Sequence, residues 1–167
     1  ATDKAQALLG PEKRILWNAA IGATALGEGE LATHAWRAMG LPAVMGQHLP
    51  RIEGIPPARL RVPSVGDGVG DDANLALRAH FELPWIMPES PCHGVVVSPT
   101  FGRAAVDYGD VVLWDGAPVS VVEENGRPVP RFPLLEILRR GDEQRFRFLL
   151  LGDAAKMEAA MPSGAAV

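Results

Sequence analysis

PESPCHGVVVSPTFGRAAVDYGDVVLWDGAPV, residues 88–119, holds the chain's single cysteine, Cys92, directly against His93. Residues 94–98 are β-branched and almost wholly apolar, the composition of a strand covered on both faces. Neighbours on an extended backbone point to opposite sides, so His93 is poorly placed to activate Cys92. The stretch therefore reads as a proline-bounded start of a central strand, with Cys92 as a small apolar residue at its beginning. The rest of the fold is read outward from that strand.

Downstream, residues 110–114 and 119–123 flank WDGAP, a glycine-containing turn expected to close a hairpin. Residues 121–124 and 127–131 flank Asn125-Gly126, a strong local hairpin signal because both turn positions need positive φ. Residues 134–140 suggest a short helix stopped by Gly141, and 145–151 alternate as a last strand. The Ala-rich 153–167 reads as a tail, either a loose helix or frayed. Upstream, 59–65 is a short candidate strand and 65–74 (VGDGVGDDAN) an acidic, turn-rich loop. Residues 73–83 alternate apolar and polar like a half-buried strand, with a helix over 73–81 as the competing reading.

Residues 1–46 follow another rule. Ile15, Leu16, Ala19, Ala20, Ala23 and Leu26 recur at three-to-four spacing, and Leu31, Ala32, Ala35, Trp36 and Met39 do the same after GEGE. Gly27 and Gly29 separate the runs and Gly40-Leu41-Pro42 stops the second, so a helical hairpin is expected. Residues 15–42, ILWNAAIGATALGEGELATHAWRAMGLP, resemble one tetratricopeptide repeat. Ala20 and Ala32 fall at its small positions, Gly27 at its turn and Trp36 at an aromatic position, whereas Ala23 and Gly29 depart from the pattern. The resemblance implies a surface that binds proteins or peptides. Such repeats bury a continuous core by stacking in sets of about three, so a lone hairpin must dock on something else.

The expected organisation is a tetratricopeptide-like hairpin (1–46), a small β-rich domain (47–152) and a tail (153–167). The fold class is α+β, with the hairpin packed on a mostly antiparallel, curled β-sheet or partly open barrel. A hydrophobic content of 47% is that of a globular chain, and a net charge of −4 argues against a nucleic-acid surface. No apolar run approaches the roughly 20 residues of a membrane span, so no membrane insertion is expected. A single cysteine fits a reducing compartment and points to the cytoplasm.

Complete catalytic signatures are missing. Cys92 and His93 are weak candidates, because a thiolate needs a base and exposure, and the base would have to be His34, His48 or His80. Glu89 stands where a haem-attachment motif has its first cysteine. The four histidines show no metal-ligand spacing, and Asp107, Asp110 and Asp115 read as turn and cap residues. GDGVGDD at 66–72 lacks the lysine of a phosphate loop and carries three acids. No metal and no cofactor are expected. Binding candidates are the large amphipathic side chains: Trp85 and Met87 in a proline-flanked WIMP, Tyr108, Trp114, Trp17 and Trp36. The leading reading is a non-enzymatic interaction module, an adaptor, chaperone or accessory subunit of a larger bacterial-type assembly with protein partners. The alternative is a thiol-dependent enzyme or redox sensor using Cys92 with a histidine. A third reading is a small-molecule binder in the sheet mouth near Trp85, Phe101 and Trp114.

Overall fold

The computed structural model describes residues 11–63, 81–100 and 104–143. Among the described residues two helices come first, α1 (Pro11–Ala25) and α2 (Gly29–Ala38). Helix α1 opens on proline, whose fixed φ suits the first helical position. Helix α2 ends in a Schellman motif: the Gly40 amide donates to the Arg37 carbonyl and the Leu41 amide to that of Trp36. Pro42 then turns the chain away.

Ten strands follow. A two-stranded ribbon pairs β1 (Val44–Met45) with β2 (Pro50–Arg51). The main sheet contains β3 (Ala58–Pro63), β4 (Phe81–Glu82), β5 (Trp85–Pro88), β6 (His93–Val96), β7 (Val111–Leu113), β8 (Ser120–Glu124), β9 (Arg127–Pro133) and β10 (Glu136–Arg139). Its order is β10-β7-β6-β5-β3-β9-β8, with β4 also paired to β3. Every pairing is antiparallel except β3–β9. The fold is α+β, with a mixed, mostly antiparallel eight-stranded sheet that does not close into a barrel. Among the described residues no helix is long and apolar enough to cross a membrane.

The sheet is curled, and two residues require it. Only Leu134 and Leu135 separate β9 from β10, which leaves the two strand ends within about 10 Å. Yet β9 pairs β3 and β10 pairs β7, well apart in the strand order. Leu134 donates its amide to the Arg61 carbonyl and Leu135 donates to that of Leu113, so the link stitches both sides.

Alternation then sorts the side chains. Ala58, Leu60 and Val62 of β3 point inward with Ile86, Val96, Val106, Val112 and Trp114 to form one core inside the curl. The opposite face of β6 and β7 carries His93 beside Leu113 and Val95 beside Val111. The helical hairpin covers part of that face. Its Ala20, Ala35 and Trp36 form a second core with Ala43, Ile52, Cys92 and Leu113. Ala20 and Trp36 are fully buried there.

The central strand is therefore covered on both sides, and it includes the smallest residue for a reason. A Cβ on Gly94 would collide with the Met87 carbonyl oxygen and the Pro88 Cα of the neighbouring strand. The β8–β9 turn is Asn125-Gly126, both at positive φ (53° and 73°). Pro128 and Pro130 stand opposite Glu123 and Val121. Those positions alternate with Arg127, Val129 and Arg131 along β9, so the prolines withhold no amide from β8.

Two sequence expectations are corrected. Residues 136–139 form strand β10 and not a helix. The short link from β9 delivers them to the open edge of β7, where ladder bonds and the packing of Ile137 on the core outweigh helix propensity. WDGAP does not close a hairpin, because β7 pairs β6 and β10 whereas β8 pairs β9. At that point the chain leaves the sheet, and Asp115 accepts a hydrogen bond from the Trp17 indole at its carbonyl (3.1 Å). The candidate elements at 65–80 and 145–151 and the tail at 153–167 lie outside the described residues.

Candidate functional site

Between β5 and β6 the chain makes a tight turn in which the amides of Glu89 and Ser90 both donate to the His93 carbonyl (2.9 and 3.0 Å). The Trp114 indole caps the Pro91 carbonyl at 2.8 Å, and the Trp114 amide reaches that of Cys92 at 2.7 Å. These bonds turn Ser90, Cys92 and His93 inward together, and all three are fully buried.

Inside, they form a relay of polar groups. His93 Nδ1 is 2.6 Å from Ser90 Oγ, which lies 3.6 Å from Cys92 Sγ. The Cys92 thiol donates to Thr24 Oγ1 at 3.6 Å, and the Thr24 hydroxyl donates to the Ala20 carbonyl of α1 at 2.7 Å. At the other end, His93 Nε2 faces Glu89 Oε2 at 3.6 Å and makes no hydrogen bond among the described residues. A carboxylate there calls for a proton on Nε2; Ser90 then donates to a neutral Nδ1 or accepts from a protonated one. Cys92 and His93 thus communicate through Ser90 and not directly.

The electrostatics differ between the two ends. Burial pushes the Cys92 thiol up to about 11, against an ordinary 9.0, although the Ser90 and Thr24 hydroxyls and a backbone amide pull the other way. That leaves Cys92 a protonated, inert core thiol at neutral pH. Glu89 is held below its ordinary 4.5 by the His93 side chain, against partial burial, with Arg51 and Arg139 adding to the effect. A carboxyl depressed in the folded state contributes stability above its unfolded value, lost as pH falls through the folded value. Glu89→Gln is therefore expected to be less stable than the parent at neutral pH. The deficit should shrink in urea midpoints as pH falls below the ordinary carboxyl range; a deficit that does not change with pH contradicts a carboxylate held by its neighbours.

Glu89 is also the point where the relay meets a cleft. The cleft has a volume of about 740 Å³ and lies between the end of the hairpin and the β6–β7–β10 side of the sheet. Val95 and Val111 of the sheet, Thr24 and Ala25 of α1, the 46–49 loop and Leu138 line it. Its charged groups are Arg51, Glu89 and Arg139, with His48 also on the lining.

The aromatic candidates divide by location. Trp36 and Trp114 are in the interior, 0% and 1% exposed, and offer no surface. Trp114 stacks on Phe132 with centroids 5.5 Å apart, and Trp17 meets Trp36 edge-on at 5.2 Å. Trp17 is half-buried and joins the hairpin to Asp115. Trp85 is half-buried on the sheet face beyond the hairpin, beneath the Arg59 guanidinium at 3.8 Å. Arg59 also donates to the Leu83 carbonyl and pairs with Glu124 at 2.9 Å. Met87 and Tyr108 are each 44% exposed. Phe101, the third residue of the sheet-mouth reading, lies outside the described residues.

Asp110 is buried and holds a turn: it accepts from the amides of Asp107 and Gly141 and pairs with Arg140 at 2.9 Å. Asp115 accepts from the Ala117 amide. Among the described residues no group of three His, Cys, Asp or Glu side chains could hold a metal ion. His34 and His48 are exposed, and His80 and residues 66–72 lie outside the described residues. The relay and its cleft escaped sequence reasoning; the signal present was the density of Glu, Ser, Cys and His within residues 89–93. Comparison of the chain with models of protein families, with curated proteins and with solved structures gives no match.

Proposed function

We propose that the chain is a non-enzymatic protein-interaction module, an adaptor, chaperone or accessory subunit of a larger bacterial-type assembly, with the helical hairpin as its docking element. The observation that carries this reading is an apolar ridge on the outer side of α1. Ile15, Ala19 and Gly22 lie on one face of α1 at spacings of four and three residues, and Leu26, one residue past its end, follows at a spacing of four with its amide donating to the Gly22 carbonyl. All four are exposed, Ile15 by 69% and Leu26 by 80%, and Leu31 at the start of α2 is 58% exposed. The inner side of the hairpin is already used in the core with Cys92 and Leu113. Contiguous exposed apolar residues of this size are what interaction surfaces are made of.

The tetratricopeptide resemblance supports the same reading. The small positions Ala20 and Ala32 are fully buried, and Trp36 fills the space between the helices and the sheet. The resemblance implies a concave surface that binds proteins or peptides. The thiol-dependent alternative draws no support from a Cys92 that is buried and shifted toward the protonated form.

The test is co-purification from the native host with tagged parent and with an Ile15→Glu/Leu26→Glu double variant. Both substitutions are on exposed positions, so the melting temperature should stay within a few degrees. A partner that binds the purified parent directly, and binds the double variant at least about tenfold more weakly, is the expected result. A monomeric chain with no direct partner, or a partner indifferent to both substitutions, overturns the reading.

A further inference from the structure

We propose that the cleft between the hairpin and the sheet binds a small zwitterion with an apolar body, an amino acid or a short peptide. Its ammonium sits on Glu89, its carboxylate on Arg51 and Arg139, and its apolar part on Val95, Val111 and Leu138. This goes beyond the docking of a protein on α1 and does not depend on it.

Four observations carry the inference. First, the cleft's volume of about 740 Å³ is in the range of small-molecule sites, roughly 300–1,000 Å³, and exceeds what one amino acid fills. Second, its charges converge from three separate elements: Arg51 from β2, Glu89 from the β5–β6 turn and Arg139 from β10. Third, neither arginine's side chain makes a hydrogen bond or a salt bridge among the described residues, and both act on the Glu89 carboxyl through space. Guanidinium groups left free beside a cleft are suited to a carboxylate, which they grip through paired N–H groups. Fourth, Glu89 is braced from behind by His93, which is fully buried and whose Nε2 makes no hydrogen bond among the described residues. That contact occupies Oε2, while Oε1 makes no hydrogen bond among the described residues and is available to a donor in the cleft.

The sign pattern selects the ligand class. A simple anion would meet the Glu89 carboxylate, and a simple cation would meet two arginines. A molecule carrying both an ammonium and a carboxylate together with an apolar part satisfies all three groups and covers the valine floor. The cleft's volume of about 740 Å³ is large enough for either a free amino acid or a dipeptide, and the two are separated by experiment.

Isothermal titration of the whole chain would use L-phenylalanine and the dipeptide leucyl-leucine, against N-acetylphenylalanine, which lacks the ammonium, and phenethylamine, which lacks the carboxylate. Saturable binding of at least one zwitterion, with each half-molecule at least about tenfold weaker, is expected. Preference for phenylalanine assigns an amino-acid site; preference for leucyl-leucine assigns a peptide site. Arg51→Gln/Arg139→Gln should weaken binding by about tenfold or more while the melting temperature falls by no more than a few degrees, since these exposed side chains lose only a through-space attraction to Glu89. Glu89→Gln should weaken the zwitterion yet spare N-acetylphenylalanine. The proposal is overturned if neither zwitterion binds, if a half-molecule binds as well as the whole, or if the arginine variant binds unchanged.

Discussion

Trp114→Ala is expected to lower the unfolding free energy by about 3–5 kcal/mol. The indole is 1% exposed and lies in the core inside the curl, stacked on Phe132. Its Nε1 is the hydrogen-bond donor to the Pro91 carbonyl and its amide is the donor to that of Cys92. Truncation would open a cavity that the ladder on both sides of β7 cannot collapse to fill, and would leave the Pro91 carbonyl unpaired. Trp114→Phe should cost less: it keeps a six-membered ring against Phe132 but loses the N–H and part of the indole's volume, the lost hydrogen bond alone being worth about 1–3 kcal/mol. Urea denaturation at neutral pH reads both. A Trp114→Ala midpoint close to the parent's would mean that this residue does not join the turn to the sheet.

Cys92 is the second large effect. With its thiol raised from 9.0 to about 11, the thiolate fraction at neutral pH falls about a hundredfold below that of an ordinary cysteine. The sulfur is also fully buried, against Ser90 and Thr24. Labelling by a charged aromatic disulfide reagent is therefore expected to be at least about 1,000-fold slower in the native protein than in denaturant. Its rate should follow opening of the structure and be insensitive to His93→Gln beyond any change in stability. Rapid labelling of the native chain, slowed specifically by His93→Gln, would replace the interaction reading with thiol chemistry.

Legibility followed the range of the interactions. The Asn125-Gly126 hairpin is written in two adjacent residues whose backbone demands are local, and the helical runs in a spacing that no other element reproduces. Strand β10 was not legible, because residues 134–140 mix helix formers with an alternating pattern, and the deciding partner is β7, more than twenty residues upstream. The parallel β3–β9 pairing has no local signature at all. Trp36 and Trp114 illustrate another limit: an aromatic anchor at a surface and one in a core are the same residue, and only the packing tells them apart. Cys92 and His93 looked unrelated because an extended chain would send them to opposite faces. The turn closed onto the His93 carbonyl, with Ser90 placed between them, removed that separation. Arg51, Glu89 and Arg139 meet only after the curl brings β2, the β5–β6 turn and β10 together.

The second core has a consequence for synthesis on the ribosome. Trp36 and Ala35 find their cover in Cys92 and Leu113, so the inner surface of the hairpin is translated long before the strands that shield it. At about 5–20 residues per second, the delay between Trp36 and Leu113 is roughly 4–15 s. Throughout that interval the nascent hairpin exposes a tryptophan-rich surface as well as its outer ridge. The ribosome-bound chain is therefore a natural client for holding factors, and slow codons within the first sheet strands would lengthen its exposure.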